Sequence, residues 1–302
     1  MKTARIRNCS LACLVLLSFG QALVAQQPRA AATAATRHSL WKAEGKHSAV
    51  YLLGSVHLLK AENYPLAPEL EAAFTNAAIV AFETDVEAME LLDSQLKLLS
   101  KARLPEGETL SEQLSPAVYA RFTNYLADTG MPVAMFEPLK PSMAAMTLTL
   151  LELQKLGVDP QYGLDKHFFG RARREGKQIV PLETVDFQIG LATDFSKEEG
   201  ELFMKITLDD IDKATKEATK MLKAWQTGDA DTLEKLLNEA SHQAPAVFKR
   251  LLTDRNQRWV PRIEEWLRGD KNVLVVVGAG HLVGADGVVE LLRKKGLKVT
   301  QQ

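Results

Sequence analysis

The sequence predicts an α/β fold: a central sheet whose strand ends carry Gly-x-x-His loops, with large helical insertions between the strands. Three observations carry this. Four short apolar runs rich in β-branched residues, each stopped by a glycine or an acidic residue, read as buried strands. Long amphipathic stretches separate them. The runs also share endings: Gly54 to His57 and Gly278 to His281 are both Gly-x-x-His, while Val80 to Thr84 and Val180 to Thr184 are both Val-x-x-Glu-Thr.

At the N-terminus Lys2, Arg5 and Arg7 precede the apolar run "SLACLVLLSFG", and small Ala25 offers a cleavage edge, so residues 1–25 read as a signal peptide. The run is short for a span of ~20 residues, and Gln21, Gln26 and Gln27 interrupt the stretch after it. The expected product is an exported chain, periplasmic or extracellular, with no transmembrane span. Cys9 and Cys13 both lie inside this segment, so the mature chain has no thiol chemistry. Residues 26–37 read as a flexible leader and 38–302 as a single domain.

Within that domain Ala49 to Leu53 is the first strand, stopped by Gly54, and Pro68 sits in the first turn of the next helix. "AAIVAFETD" is a second strand ending at Glu83. The chain is then helix-rich from Val86 to about Leu156, with breaks near "LPEGETLSEQLSP" and "TGMPVAMFEPLKPS". A helix stopping at Gly176 leads to a third strand that ends near Glu183. From Ser196 to Gly269 the pattern is again helical, with an interruption and cap at Gly228 to Asp231. "NVLVVVG" is the fourth strand, a last helix runs from about Gly287 to Lys295, and "LKVTQ" forms a terminal strand.

Composition narrows the partners. With 46% hydrophobic residues, 25% charged residues and a net charge of -1, the chain is globular and lacks the basic excess of a nucleic-acid binder. A dinucleotide loop is also excluded. Gly278, Gly280 and Gly284 are spaced Gly-x-Gly-x-x-x-Gly, and the next strand, "LKVTQ", has no acid to hold a ribose.

In open α/β sheets, ligands sit at the carboxyl ends of the strands, where His57, Glu83, Glu183 and His281 would converge. Two imidazoles with one or two carboxylates suit a divalent first-row metal with positions left for water and substrate. A spare glutamate could move the proton, which is hydrolase chemistry. The glycine three residues before each histidine allows a tight turn or a close approach. Asp85 would share the cleft with Glu83 if the extended backbone continued. Arg255, in "DRNQRW", could bind a substrate carboxylate or orient Glu83 or Glu183. His167, between lysine and phenylalanine, reads as a packing residue.

The blocks "YLLGSVHLL", "IVAFETD", "YGLDKHF…GKQIVPLETVDFQ", "DRNQRWVPRIEEWL" and "VLVVVGAGHLVGADGVVELLRKKGLKV" together resemble the TraB/GumN family, which includes the Tiki metalloproteases. The likeness runs from about Leu40 to Val299. It implies a metallopeptidase with His57, Glu83 and His281 as ligands of manganese, cobalt or zinc, acting on a peptide or protein. By the same likeness Asp165, Glu183, Arg255 and Asn256 lie near the site, with Glu183 as general base or ligand-supporting partner. Two alternatives stay open: a non-enzymatic periplasmic binder of peptide, metal or haem, and an accessory role in exopolysaccharide production.

Overall fold

The computed structural model describes residues 37–302. The expected signal peptide, nearly all of the leader, Cys9 and Cys13 lie outside the described residues. Six strands form one mixed sheet in the order β4-β3-β5-β2-β1-β6. They are β1 (Leu40–Glu44), β2 (Ala49–Ser55), β3 (Ile79–Phe82), β4 (Gln178–Pro181), β5 (Val273–Gly278) and β6 (Val299–Gln301).

The four strands read from the sequence, β2 to β5, are mutually parallel. That explains their unbroken apolar character, since strands covered on both faces have no solvent side to mark with polar residues. β3 is buried throughout and β5 nearly so, whereas β4 is a partly exposed edge that tolerates Pro181. The terminal strand also forms, as β6, paired antiparallel with β1.

The sequence reading missed β1. Its five residues include Lys42 and Glu44, so no clear apolar run marks it. Pairing creates the strand: β1 folds back on β2 as an antiparallel hairpin, and Gly45 N–H donates to the Ser48 carbonyl at 2.9 Å across the turn.

Two large hydrophobic cores and two small clusters result among the described residues. Helices Pro68–Asn76, Leu164–Arg174, Asp254–Arg268 and Val288–Lys294 give Phe74, Phe168, Ile263 and Leu292 to the core around the sheet. Helices Pro116–Thr129, Pro141–Gln154 and Lys197–Gln226 build a second core on Phe122, Leu148 and Phe203. Lys197–Gln226 serves both, because Trp225 belongs to the sheet core. The Trp225 indole N–H donates to the Gly54 carbonyl at 2.7 Å, fixing this helix to the end of β2. Ser196 and Glu199 close a capping box at its start, and the cap expected near Gly228 is supplied by Asp229, which accepts from Thr232 N–H at 3.0 Å. A π-helical turn, Lys249–Thr253, leads directly into Asp254–Arg268.

The glycines of the two Gly-x-x-His loops are needed for room, since neither has positive φ. A Cβ on Gly54 would lie 3.0 Å from Ala279 Cβ and 3.1 Å from its Cα. The two loops therefore pack directly on one another. Gly54→Ala should destabilise the chain by about 1–3 kcal/mol through overpacking, read as a lower urea midpoint with unchanged m-value.

Candidate active site

His57, Glu83, Glu183 and His281 stand just past the carboxyl ends of β2, β3, β4 and β5, as the strand pattern required. The ladder continues beyond β3 and β4, with Glu183 N–H donating to the Glu83 carbonyl at 2.9 Å, so the two acids are set side by side.

Arg255 joins them. Its Nε and Nη2 donate to Glu183 at 2.8–3.1 Å, its Nη2 to Glu83 Oε2 at 2.5 Å, and its Nη1 to His281 Nε2 at 3.0 Å. Nη1 also reaches the Leu251 carbonyl, in the π turn, at 3.0 Å. Burial opposes the guanidinium charge, but the two carboxylates outweigh it and raise the Arg255 pKa. Burial also opposes ionisation of Glu83; Arg255, both histidines and the Gly278 N–H at 2.7 Å outweigh it and hold its carboxyl well below the usual range.

Each histidine is oriented from behind. Asn256 Nδ2 donates to the Asp286 carbonyl at 2.9 Å, which turns its Oδ1 toward His281 Nδ1 at 2.6 Å. Nδ1 therefore carries the hydrogen and Nε2 the lone pair. Burial, then the neighbouring Arg255 charge, lower the His281 pKa to about 3, so the ring is neutral. His57 Nδ1 meets Asp165 Oδ1 at 3.0 Å, and Asp165 also accepts from Ser55 Oγ at 3.1 Å. Here burial is outweighed by the Asp165 charge and hydrogen bond, with help from Glu83, and the His57 pKa rises to about 9. The "YGLD" block holds this pair: Leu164 N–H donates to the Val56 carbonyl at 3.1 Å, and a Cβ on Gly163 would lie 2.7 Å from the His57 carbonyl oxygen.

Not every expected residue joins the cluster. Asp85 accepts from Ala88 N–H at 2.9 Å and caps the helix Val86–Glu90. Strand β3 ends at Phe82, and Asp85 turns its carboxylate to the start of that helix instead of continuing the alternation expected to aim it at the cleft. Glu183 is filled by donors from Arg255, Gln188 at 2.7 Å and the Trp259 indole at 3.1 Å, an arrangement that supports Arg255 and leaves no lone pair for proton transfer. His167 packs against Tyr64, ring centroids 4.9 Å apart, and burial lowers its pKa to about 4.

Sequence reasoning missed Gln188 and Trp259. Gln188 bridges Glu183 and, at 3.4 Å, Glu83; Trp259 lies under His281 with ring centroids 4.4 Å apart. A signal was present for each: Trp259 follows Arg255 by one helical turn, and Gln188 follows Glu183 by five residues into a helix.

The cluster forms the polar end of a cavity of about 140 Å³, whose remaining walls are mostly leucine from the inserted helices. Among the described residues no helix is long and apolar enough to cross a membrane.

A model of the TraB/PrgY/gumN family matches residues 39–301, the whole sheet and every residue of this cluster. The chain belongs to the TraB/PrgY/gumN family. Within that family it is similar to the "Uncharacterized protein YbaP" of Shigella flexneri, 24% identical over 248 residues, covering 82% of this chain and 88% of that protein. The protein of the same description from Escherichia coli K12 is 24% identical over 243 residues, covering 80% and 87%. No solved structure matches the chain.

Two outcomes test this geometry in the metal-free protein. Arg255→Met should cost about 3–5 kcal/mol in urea unfolding at pH 7, because Glu83 and Glu183 stay buried without a countercharge. Asp165 raises the His57 pKa above its ordinary 6.5, so the stabilisation it gives is complete below that pH and lost as pH rises through about 9. The stability difference between parent and His57→Gln should accordingly be flat up to about pH 6.5 and shrink toward pH 10.

Proposed function

We propose that this family member is an exported hydrolase of amide or ester bonds, with a peptide as the expected substrate and a divalent metal as cofactor. The observation that carries this is the matched orientation of the two histidines. Each has Nδ1 held by an oxygen acceptor, Asp165 or Asn256, so Nε2 is the ligating atom of both rings: of His281 as it stands and of His57 once a bound cation displaces its Nε2 proton. Export rests on the N-terminal pattern alone.

The donor set suits a cation. His57, Glu83 and His281 supply two imidazole nitrogens and a carboxylate. Three carboxylates, Glu83, Glu183 and Asp165, face one guanidinium and one imidazolium, so the cluster as a whole is negative. Among the described residues no three His, Cys, Asp or Glu side chains are already grouped as a ligand cage, because Arg255 donates to both Glu83 and His281. Metal binding would compete with Arg255 for those two lone pairs while Glu183 keeps the guanidinium in place. When bound, such an ion lowers the pKa of water and polarises a carbonyl. The residues themselves do the rest: Asp165 and Asn256 orient the rings, Arg255 stabilises developing negative charge, and the leucine walls exclude water. A second cavity of about 30 Å³, lined by Ser55, His57, Glu83, Thr84 and Asp165 among others, has room for a water beside His57.

One observation favours a second reading. Arg255 Nη1 occupies the His281 Nε2 lone pair at 3.0 Å, so the guanidinium can serve as the site's own cation, with the His57–Asp165 pair moving the proton. Metal analysis separates the two. After equilibration with manganese, cobalt or zinc, the parent should hold one ion per chain, and His57→Ala, Glu83→Ala and His281→Ala should each lose it while staying folded. Hydrolysis of ester and peptide libraries without bound metal would overturn the metal route and leave the second reading. No hydrolysis in either state would turn the reading to a binder.

A further inference from the structure

The cavity at the strand ends has a marked division of character. At the strand ends it meets His57, Glu83, Arg255 and His281, whereas its deeper walls are apolar side chains such as Leu153, Leu156, Leu191, Leu222, Leu236 and Phe248. These come from separate helical insertions, so the chamber exists only where the helical layer closes over the sheet. Ala192 and Ala218, both buried, line it as well and keep it wide. Its volume of about 140 Å³ is close to the ~150 Å³ of an apolar cavity that accepts benzene.

From this we infer that the chamber seats an apolar group of about six to eight carbons, benzyl- or hexyl-sized, attached beside the bond presented to the cluster. Met221, unbranched and polarizable, lets the wall adapt to straight or aromatic groups. The inference names a substrate class for the hydrolase proposed above and rests on that reading only for the bond that is cut. Two sources share the chemistry, an acyl chain and a large apolar side chain of a peptide.

The test measures binding to the full chain, without turnover, through the fluorescence of Trp225, which lines the chamber. Straight-chain carboxylates from acetate to dodecanoate form one series, and the N-acetyl amides of glycine, leucine and phenylalanine form the other. Affinity should rise about three- to four-fold per methylene up to six to eight carbons and then level off. Leu236→Ala should move that plateau to longer chains, and Ala218→Phe should weaken hexanoate at least tenfold with metal content unchanged. A rise confined to the carboxylates identifies an acyl chain; one confined to the amides identifies a peptide side chain. A flat response in both series, in folded protein, overturns the inference. Hydrolysis indifferent to chain length would also overturn it and leave the hydrolase reading standing. Length-dependent binding without any hydrolysis would uphold the chamber and remove the hydrolase.

Discussion

The buried guanidinium of Arg255 is the interaction on which the site depends. It spans the ends of three strands: Glu83 after β3, Glu183 after β4, and His281 after β5. A charge so placed loses most of its hydration, and attraction repays that loss only where the geometry is nearly complete. Here it is complete, because all three guanidinium nitrogens have acceptors. One residue thereby binds the helix Asp254–Arg268 to the sheet and bears on the titration of Glu83, His57 and His281. Burial keeps His281 neutral, and the charge that keeps Glu83 ionised adds to that effect.

The parallel strands were legible in the sequence because burial on both faces leaves apolar runs that end where side chains must meet solvent or ligand. The four residues past those ends were legible for the same reason. Contacts that only folding creates left weaker marks. β1 is defined by its partner, Asp85 by a helix that begins earlier than alternation allowed, and Glu183 by how many donors reach it. Gln188 and Trp259 carried only a spacing signal, five residues after Glu183 and one helical turn after Arg255, and it becomes a contact only once those helices pack on the strand ends.

The two large cores share the work. The sheet core sets the charged cluster, with rigid strands holding four side chains in register. The apolar chamber above it is walled by both: Trp225, Leu233 and Leu237 belong to the sheet core, Leu191 and Leu251 to the helical core. The apolar side chains of the wall and the polar groups of the cluster are mostly different residues, and Leu251 joins them, its side chain in the wall and its carbonyl on Arg255.

The π turn at Lys249–Thr253 gives this arrangement an unusual dependence on spacing. A π turn holds one residue more than an α-helix would use over the same rise. That surplus lies immediately before Arg255, whose guanidinium donates to the Leu251 carbonyl within the turn. Removing the surplus residue would close the segment to an ordinary α turn with the flanking helix in register, so Arg255 would keep its side of the helix and lose the local backbone shape that brings the Leu251 carbonyl to its guanidinium. The site thus encodes part of its chemistry as a residue count, a kind of information that comparing amino-acid types position by position does not reveal.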